Sequence, residues 1–294
     1  MHSEAYSALV AQLFASPMPV DIVEMRAAYV AMGDAFPLPA DVRVTKTQLG
    51  GRPCEWLEVA ENPRHMVLVV HGGGYCIGGI ESHRHLGGEI ARQTGARVAV
   101  IDYRLAPEHP YPAGLDDLRA AWAELLASRG GDQIALVGDS AGAGLAMAFV
   151  ADLLRTAQPL PASIYCMSPW ADLSNTATSR SLKREIDPLA SIDQLAKMAG
   201  YYAGDIPVSD PRISPAFADF RGAPPVFIQA GTAEVLMDDA LNLAKSLADA
   251  DVDVDVELRA GMIHVWPWFF PAIPEGAEAL ARACAFIARN FQST

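Results

Sequence analysis

The pentapeptide Gly138-Asp139-Ser140-Ala141-Gly142 constrains this chain more than any other stretch. An apolar run over 133–137 leads into it, and a segment rich in Ala, Leu and Met leaves it. That order reads as a strand, a one-residue corner at Ser140, then a helix. A side chain presented on so sharp a corner holds its backbone in a strained conformation. The neighbouring chain then passes too close for a Cβ at either flanking glycine. The helix that follows aims its free N–H groups and its positive end at any anion formed beside Ser140. Ser140 is therefore a candidate nucleophile.

The rest of the chain supplies a frame for that corner. Apolar positions at helical spacing over 6–14 and 20–32 predict two short amphipathic helices, broken by Ser16-Pro17-Met18-Pro19 and ended by Gly33. Alternation over 42–45 and 54–59, with Gly50-Gly51 between, predicts an antiparallel hairpin. Buried-type strands are then expected at 66–70, 97–101, 134–137, 164–167 and 226–228. A last strand over 252–258 alternates Val with Asp and Glu, so one of its faces should be wet. Helices are expected between and after them at 85–94, 113–128, 142–156, 238–249 and 275–290. Strands alternating with helices predict an α/β protein: a mostly parallel, eight-stranded sheet with an N-terminal antiparallel hairpin and helices on both faces. The long 171–224 interval breaks the alternation, with one predicted helix at 193–202 and a return through Pro207, Pro211 and Pro215. An insertion of that length is usually a lid, and with the N-terminal helices it predicts a helical cap over the carboxyl edge of the sheet.

Composition narrows the partners. The 294 residues carry 22 basic and 35 acidic side chains, a net charge of −13, without a basic cluster. That balance argues against nucleic acid and against an anionic membrane surface. Cys54, Cys76, Cys166 and Cys284 are scattered without a CxxC pair and read as buried free thiols. Residues 1–10 resemble no signal peptide, and no apolar run is long enough to span a bilayer, so a soluble cytoplasmic protein is expected. The last strand and the C-terminal helix offer a surface for a homodimer.

A serine at neutral pH needs a base and an anion-stabilising site. His71-Gly72-Gly73-Gly74 follows the first central strand, and its glycines leave backbone N–H groups unshielded. The donors of an oxyanion hole are expected to be the N–H groups of Gly73, Gly74 and Ala141. Of the seven histidines, His2 lies in the terminal tail, His65 on a strand edge and His109 in a Pro-rich loop. His71 is placed to hold the glycine loop. His83 and His85 have no further ligand at metal spacing. His264, in the loop after the last strand, is the histidine at the carboxyl edge following Ser140 in chain order. The third member should be a carboxylate after the penultimate strand. Glu234 stands at that strand's end, and Asp238, at the start of the next helix, is its rival.

These stretches together resemble the bacterial hormone-sensitive-lipase family of α/β-hydrolases. The likeness rests on His71-Gly72-Gly73-Gly74, Asp102-Tyr103-Arg104-Leu105-Ala106-Pro107-Glu108, Gly138-Asp139-Ser140-Ala141-Gly142, Ser168-Pro169-Trp170 and the loop from Gly261 to His264. It implies one α/β-hydrolase domain over 1–294, with a catalytic core at 41–171 and 215–294 and a cap at 1–40 plus 172–214. It implies carboxylester hydrolysis by Ser140, His264 and an acid, no cofactor and no metal, and a segment 102–112 that braces the oxyanion loop. The family usually carries Asp where this chain has Glu234, although a branch similar to esterases and lactone hydrolases carries Glu. The expected activity is hydrolysis of short-chain acyl esters through an acyl-enzyme on Ser140. A lactone hydrolase, an amide hydrolase and a small-ligand-binding protein on the same fold are the alternatives. Met18, Met25, Met198, Tyr201 and Tyr202 are the candidates for an apolar pocket lining, with plain cap packing as the competing role.

Overall fold

The computed structural model describes residues 2–291. Its eight strands are β1 (Arg43–Leu49), β2 (Arg52–Glu58), β3 (Met66–Val70), β4 (Arg97–Ile101), β5 (Ile134–Asp139), β6 (Ile164–Met167), β7 (Val226–Gly231) and β8 (Val254–Arg259). They form a single sheet in the order β1-β2-β4-β3-β5-β6-β7-β8. Strand β2 runs antiparallel to both β1 and β4, and every other pairing is parallel. The α/β class, the eight strands and the N-terminal hairpin are as the sequence predicts.

Strand β3 shows why an unbroken apolar run was needed. Successive side chains point to opposite faces. Leu68 and Val70 enter the core beneath α4 (Ala113–Leu126), α5 (Ala141–Arg155) and α8 (Met237–Asp249). Val67 and Val69 enter the opposite core with α3 (Ile80–Thr94) and α9 (Pro274–Asn290). All five residues of the strand are buried. The four cysteines are buried free thiols. Among the described residues, no helix is long and apolar enough to cross a membrane.

Three local departures have physical causes. Helix α3 begins at Ile80 rather than 85, because Ser82 caps Gly79 and the Asp102 carboxylate accepts the Ile80 N–H at 2.7 Å. That cap comes from beyond the end of another strand, outside the reach of local patterning. In β8 the alternation puts Val256 and Leu258 at 41% exposure, while the acidic face meets α9 through Glu257–Arg282 and Asp255–Arg289 ion pairs. Both faces of this edge strand therefore reach solvent, rather than one. The 171–224 interval holds a short helix, α6 (Thr178–Lys183), that sequence periodicity did not predict, besides α7 (Ile192–Ala203).

The N-terminal helices α1 (Glu4–Ala15) and α2 (Ile22–Asp34) and this interval flank the carboxyl edge of the sheet. Helix α1 is tied to the core by Tyr6, whose hydroxyl donates to Gly261 O at 2.6 Å, and by Ser3 on Glu275. Arg26 of α2 donates to the carbonyls of Cys76 and Ala106 and pairs with Glu108. Helix α6 is tied by Arg180, which pairs with Asp239 at 3.0 Å with both side chains buried. Burial raises the Asp239 carboxyl to about 7, against the opposing pull of Arg180. Removing one partner of a buried pair leaves a buried charge without compensation. Arg180→Met should therefore lower the unfolding free energy by about 3–5 kcal/mol, read from urea denaturation.

Candidate active site

Ser140 stands at the junction of β5 and α5 with φ 51° and ψ −122°, the strained corner expected of it. The flanking glycines are explained by distance. A Cβ on Gly142 would lie 2.0 Å from Val70 O, and one on Gly138 would lie 2.6 Å from Ala143 N. The corner is secured by Ser140 N–H donating to Met167 O at 2.8 Å and by Trp170 N–H donating to Ser140 O at 2.9 Å.

His264 Nε2 lies 3.0 Å from Ser140 Oγ, and its Nδ1 lies 2.6 Å from Glu234 Oε2. The three side chains, 124 and 30 residues apart in sequence, form one hydrogen-bonded line. Glu234 Oε1 accepts from Gly231 N–H at 2.6 Å and from Ser168 Oγ at 3.1 Å. Asp238 points elsewhere, accepting the Ser179 N–H of α6 at 2.8 Å. Glu234 is thus the carboxylate on His264, and Asp238 belongs to the attachment of α6.

Burial and pairing set the charges. Desolvation would lower the His264 imidazole, but the hydrogen bond and charge of Glu234 outweigh it, and the net displacement is upward. Burial raises the Glu234 carboxyl, with the His264 contact opposing. His71 and His85 are pushed down to about 3 and about 4, chiefly by burial, so both are neutral at pH 7. Among the described residues, no group of three or more His, Cys, Asp or Glu side chains could hold a metal.

Gly73 and Gly74 line the same cleft as Ser140 and His264, with φ of 112° and 60°. Ala141 opens α5, so its N–H is one of the four at a helix start with no partner inside the helix. The glycine loop is held from several sides. Asp139 accepts Gly72 N–H at 2.8 Å and lies 3.0 Å from His83 Nε2. Burial alone would raise the Asp139 carboxyl, yet His83 and the Gly72 N–H bring it below the usual range. Tyr103 donates its hydroxyl to His71 O at 2.8 Å, and Ala106 N–H donates to Tyr75 O at 2.9 Å. This is the bracing that the family resemblance implies for 102–112.

Sequence reasoning passed over Asp139, His83 and Ser168. Ser168 donates to Glu234 and accepts Val265 N–H at 3.0 Å, joining the acid loop to the histidine loop. Asp139 and Ser168 both lie inside quoted motifs, which was the available signal. Nothing local distinguishes His83.

The cleft holds about 90 Å³ of space open to a water-sized sphere beside Ser140, walled by Met18, Met25, Met32, Leu189, Met198 and Trp268. Three of the candidate lining residues, Met18, Met25 and Met198, are there. Tyr202 is instead buried face to face on Tyr75 at 3.8 Å, and Tyr201 lines a separate groove between α2 and α7. Tyr202 shares the inward stripe of α7 with Leu195 and Met198, but one turn further along, where it meets Tyr75 instead of the cleft.

Comparison with known proteins agrees with this fold. Residues 67–267 match a family model described as the alpha/beta hydrolase fold. An acetyl-hydrolase of Streptomyces hygroscopicus is 38% identical over 87% of this chain and 85% of its own. An esterase of Acinetobacter venetianus is 34% identical over 85% of this chain and 84% of its own. A crystal structure of an esterase from the bacterial hormone-sensitive-lipase family superposes with a TM-score of 0.95. It is 36% identical and covers 99% of this chain and 100% of its own. The chain belongs to the α/β-hydrolases, in the bacterial hormone-sensitive-lipase branch.

A fluorophosphonate probe should label Ser140, at a rate that rises as His264 loses its proton at a pH above imidazole's ordinary 6.5. Glu234→Gln removes the group that holds the imidazole up, so burial prevails and the rise should move to lower pH. The limiting rate should fall by about 10⁴-fold, as expected for an imidazole held in the wrong tautomer. Asp238→Asn should leave both near wild type, as read by peptide mapping and stopped-time labelling.

Proposed function

We propose that this protein is a serine carboxylesterase acting on short-chain acyl esters through an acyl-enzyme on Ser140. The observation that carries the reading is the unbroken line from Ser140 Oγ through His264 to Glu234, at 3.0 and 2.6 Å. His264 Nε2 takes the hydroxyl proton as Ser140 Oγ bonds to the ester carbonyl carbon. Negative charge then collects on the carbonyl oxygen, beside the Gly73, Gly74 and Ala141 N–H groups. Each such donor is worth about 3 kcal/mol to the transition state. The C–O bond to the alcohol breaks as His264 returns the proton to the leaving oxygen. Water, deprotonated by the same nitrogen, attacks the acyl carbon, and Ser140 leaves with that proton as the carboxylic acid is released.

Glu234 keeps His264 in the tautomer that presents a bare Nε2 and stabilises the imidazolium as it forms. Relatives named esterase and acetyl-hydrolase support ester hydrolysis as the reaction. The cap in this reading is 1–40 plus 172–214, and its apolar side chains take the acyl group. A small acyl chain fits a cleft closed by methionines and Trp268 close above the nucleophile.

A series of p-nitrophenyl esters from acetate to laurate tests this directly. The kcat/KM value should be highest at butyrate or hexanoate and should vanish in Ser140→Ala. A maximum at laurate would overturn the short-chain assignment, and undiminished turnover in Ser140→Ala would overturn the mechanism.

A further inference from the structure

Asp187 belongs to the stretch of the insertion between α6 and α7, far in sequence from the three aligned side chains. Its carboxylate is buried at 7% exposure and, among the described residues, is in no ion pair. Both oxygens are engaged with backbone. Oδ1 accepts the Leu189 and Ala190 N–H groups at 3.0 and 3.1 Å, and both of those residues wall the cleft above Ser140. Oδ2 accepts Val235 N–H at 2.9 Å, the peptide immediately after Glu234. The carbonyl of Val235 is held from the same insertion, by Ser179 Oγ at 2.7 Å and Arg180 Nη1 at 3.2 Å.

We infer that Asp187 is a positioning residue that joins the substrate wall of the insertion to the acid of the catalytic line. One carboxylate fixes the Leu189–Ala190 wall with one oxygen and the Glu234–Val235 peptide with the other. A displacement of the wall is therefore transmitted to Glu234, and through Glu234 to the tilt of His264. Its charge acts as well. The negative groups that face His264 are Glu234 before α8, Asp187 from the insertion and Asp139 at the end of β5, all of which favour the imidazolium. The titratable groups that share Asp187's surroundings are Glu234, His264 and the Tyr6 phenol of α1. The Tyr6 phenol is raised to about 12, first by burial and then with contributions from Glu275, Asp187 and Glu234, so it adds no charge at neutral pH. Arg180, the nearby cation of α6, is held by Asp239.

The inference rests on the esterase reading only where turnover is the readout. Asp187→Asn separates the roles cleanly. Its remaining oxygen can still accept from Leu189 and Ala190, preserving the turn, while its NH₂ group meets the Val235 N–H donor to donor. The pair to measure is kcat on p-nitrophenyl butyrate and the titration of the His264 imidazole by NMR, assigned against His264→Gln. The expected result is a fall in kcat of about tenfold to a hundredfold, as for a displaced catalytic group. KM should change less, and the His264 titration should move to lower pH. A variant that only melts earlier, with either kcat or the titration at its wild-type value, overturns the inference. Asp187→Glu restores charge without the right reach and should recover the titration more than kcat. If wild-type protein hydrolyses no ester, the esterase reading fails, while the titration still decides the role of Asp187.

Discussion

The whole arrangement depends on the close approach of the turn after Ser140 to the end of strand β3. With no side chain on Gly142, the start of α5 lies against the carbonyls of Val70 and His71, which a Cβ would approach to 2.0 and 2.4 Å. That contact fixes Ser140 relative to the glycine loop, since His71 leads directly into Gly72, Gly73 and Gly74. The left-handed backbone at Ser140 is unfavourable in isolation. It persists because its own N–H and carbonyl are both taken by the β6 end of the sheet, through Met167 and Trp170. Strain at one residue is thereby shared across three neighbouring segments.

Around this turn the fold keeps carboxylates out of water, and each is stabilised differently. Asp139 has His83 and one backbone N–H, and its carboxyl lies below the usual range despite burial. Glu234 has the Gly231 N–H, a serine and His264, and burial prevails, so its carboxyl is raised. Asp239 has Arg180 and the N–H groups of Ala171 and Asp172, and burial raises it to about 7. A buried charge is tolerated only with such partners. The partners here come from the glycine-loop helix, the β6 loop and the insertion in turn. Holding these charges therefore also holds the pieces of the site together.

Much of this was readable from residue order. The glycines flanking Ser140, the run at 66–70 and the position of His264 after the last strand each express a short-range rule or a topological one. The features that escaped depend on contacts between distant segments. The start of α3 is capped by Asp102, the acidic side chains of β8 are paired by arginines on α9, and Tyr202 is drawn to Tyr75 rather than to the cleft. Helical spacing placed Met198 and Tyr202 on one stripe, but a stripe does not say which part of it meets the substrate cavity and which meets the core. The role of His83 escaped for the same reason: it sits on α3, and its partner Asp139 ends β5.

The use of Glu rather than Asp on His264 follows from how the last two loops meet. Gly231 is pressed so closely on the histidine loop that a Cβ there would lie 2.0 Å from Met262 O, and Ala233 N–H donates to that same carbonyl at 3.0 Å. The acid is thus carried on a tight turn whose backbone is already committed to the loop it must orient. Glu234 folds back over that turn, giving one oxygen to Gly231 N–H three residues earlier and the other to His264 Nδ1. A carboxylate one carbon shorter would fall short by about 1.5 Å along that path, a single C–C bond length. With this backbone held fixed, it would not span both contacts. The longer side chain thus lets one carboxylate serve both the turn and the imidazole, and Ser168, which donates to that carboxylate and accepts from Val265, joins the two loops.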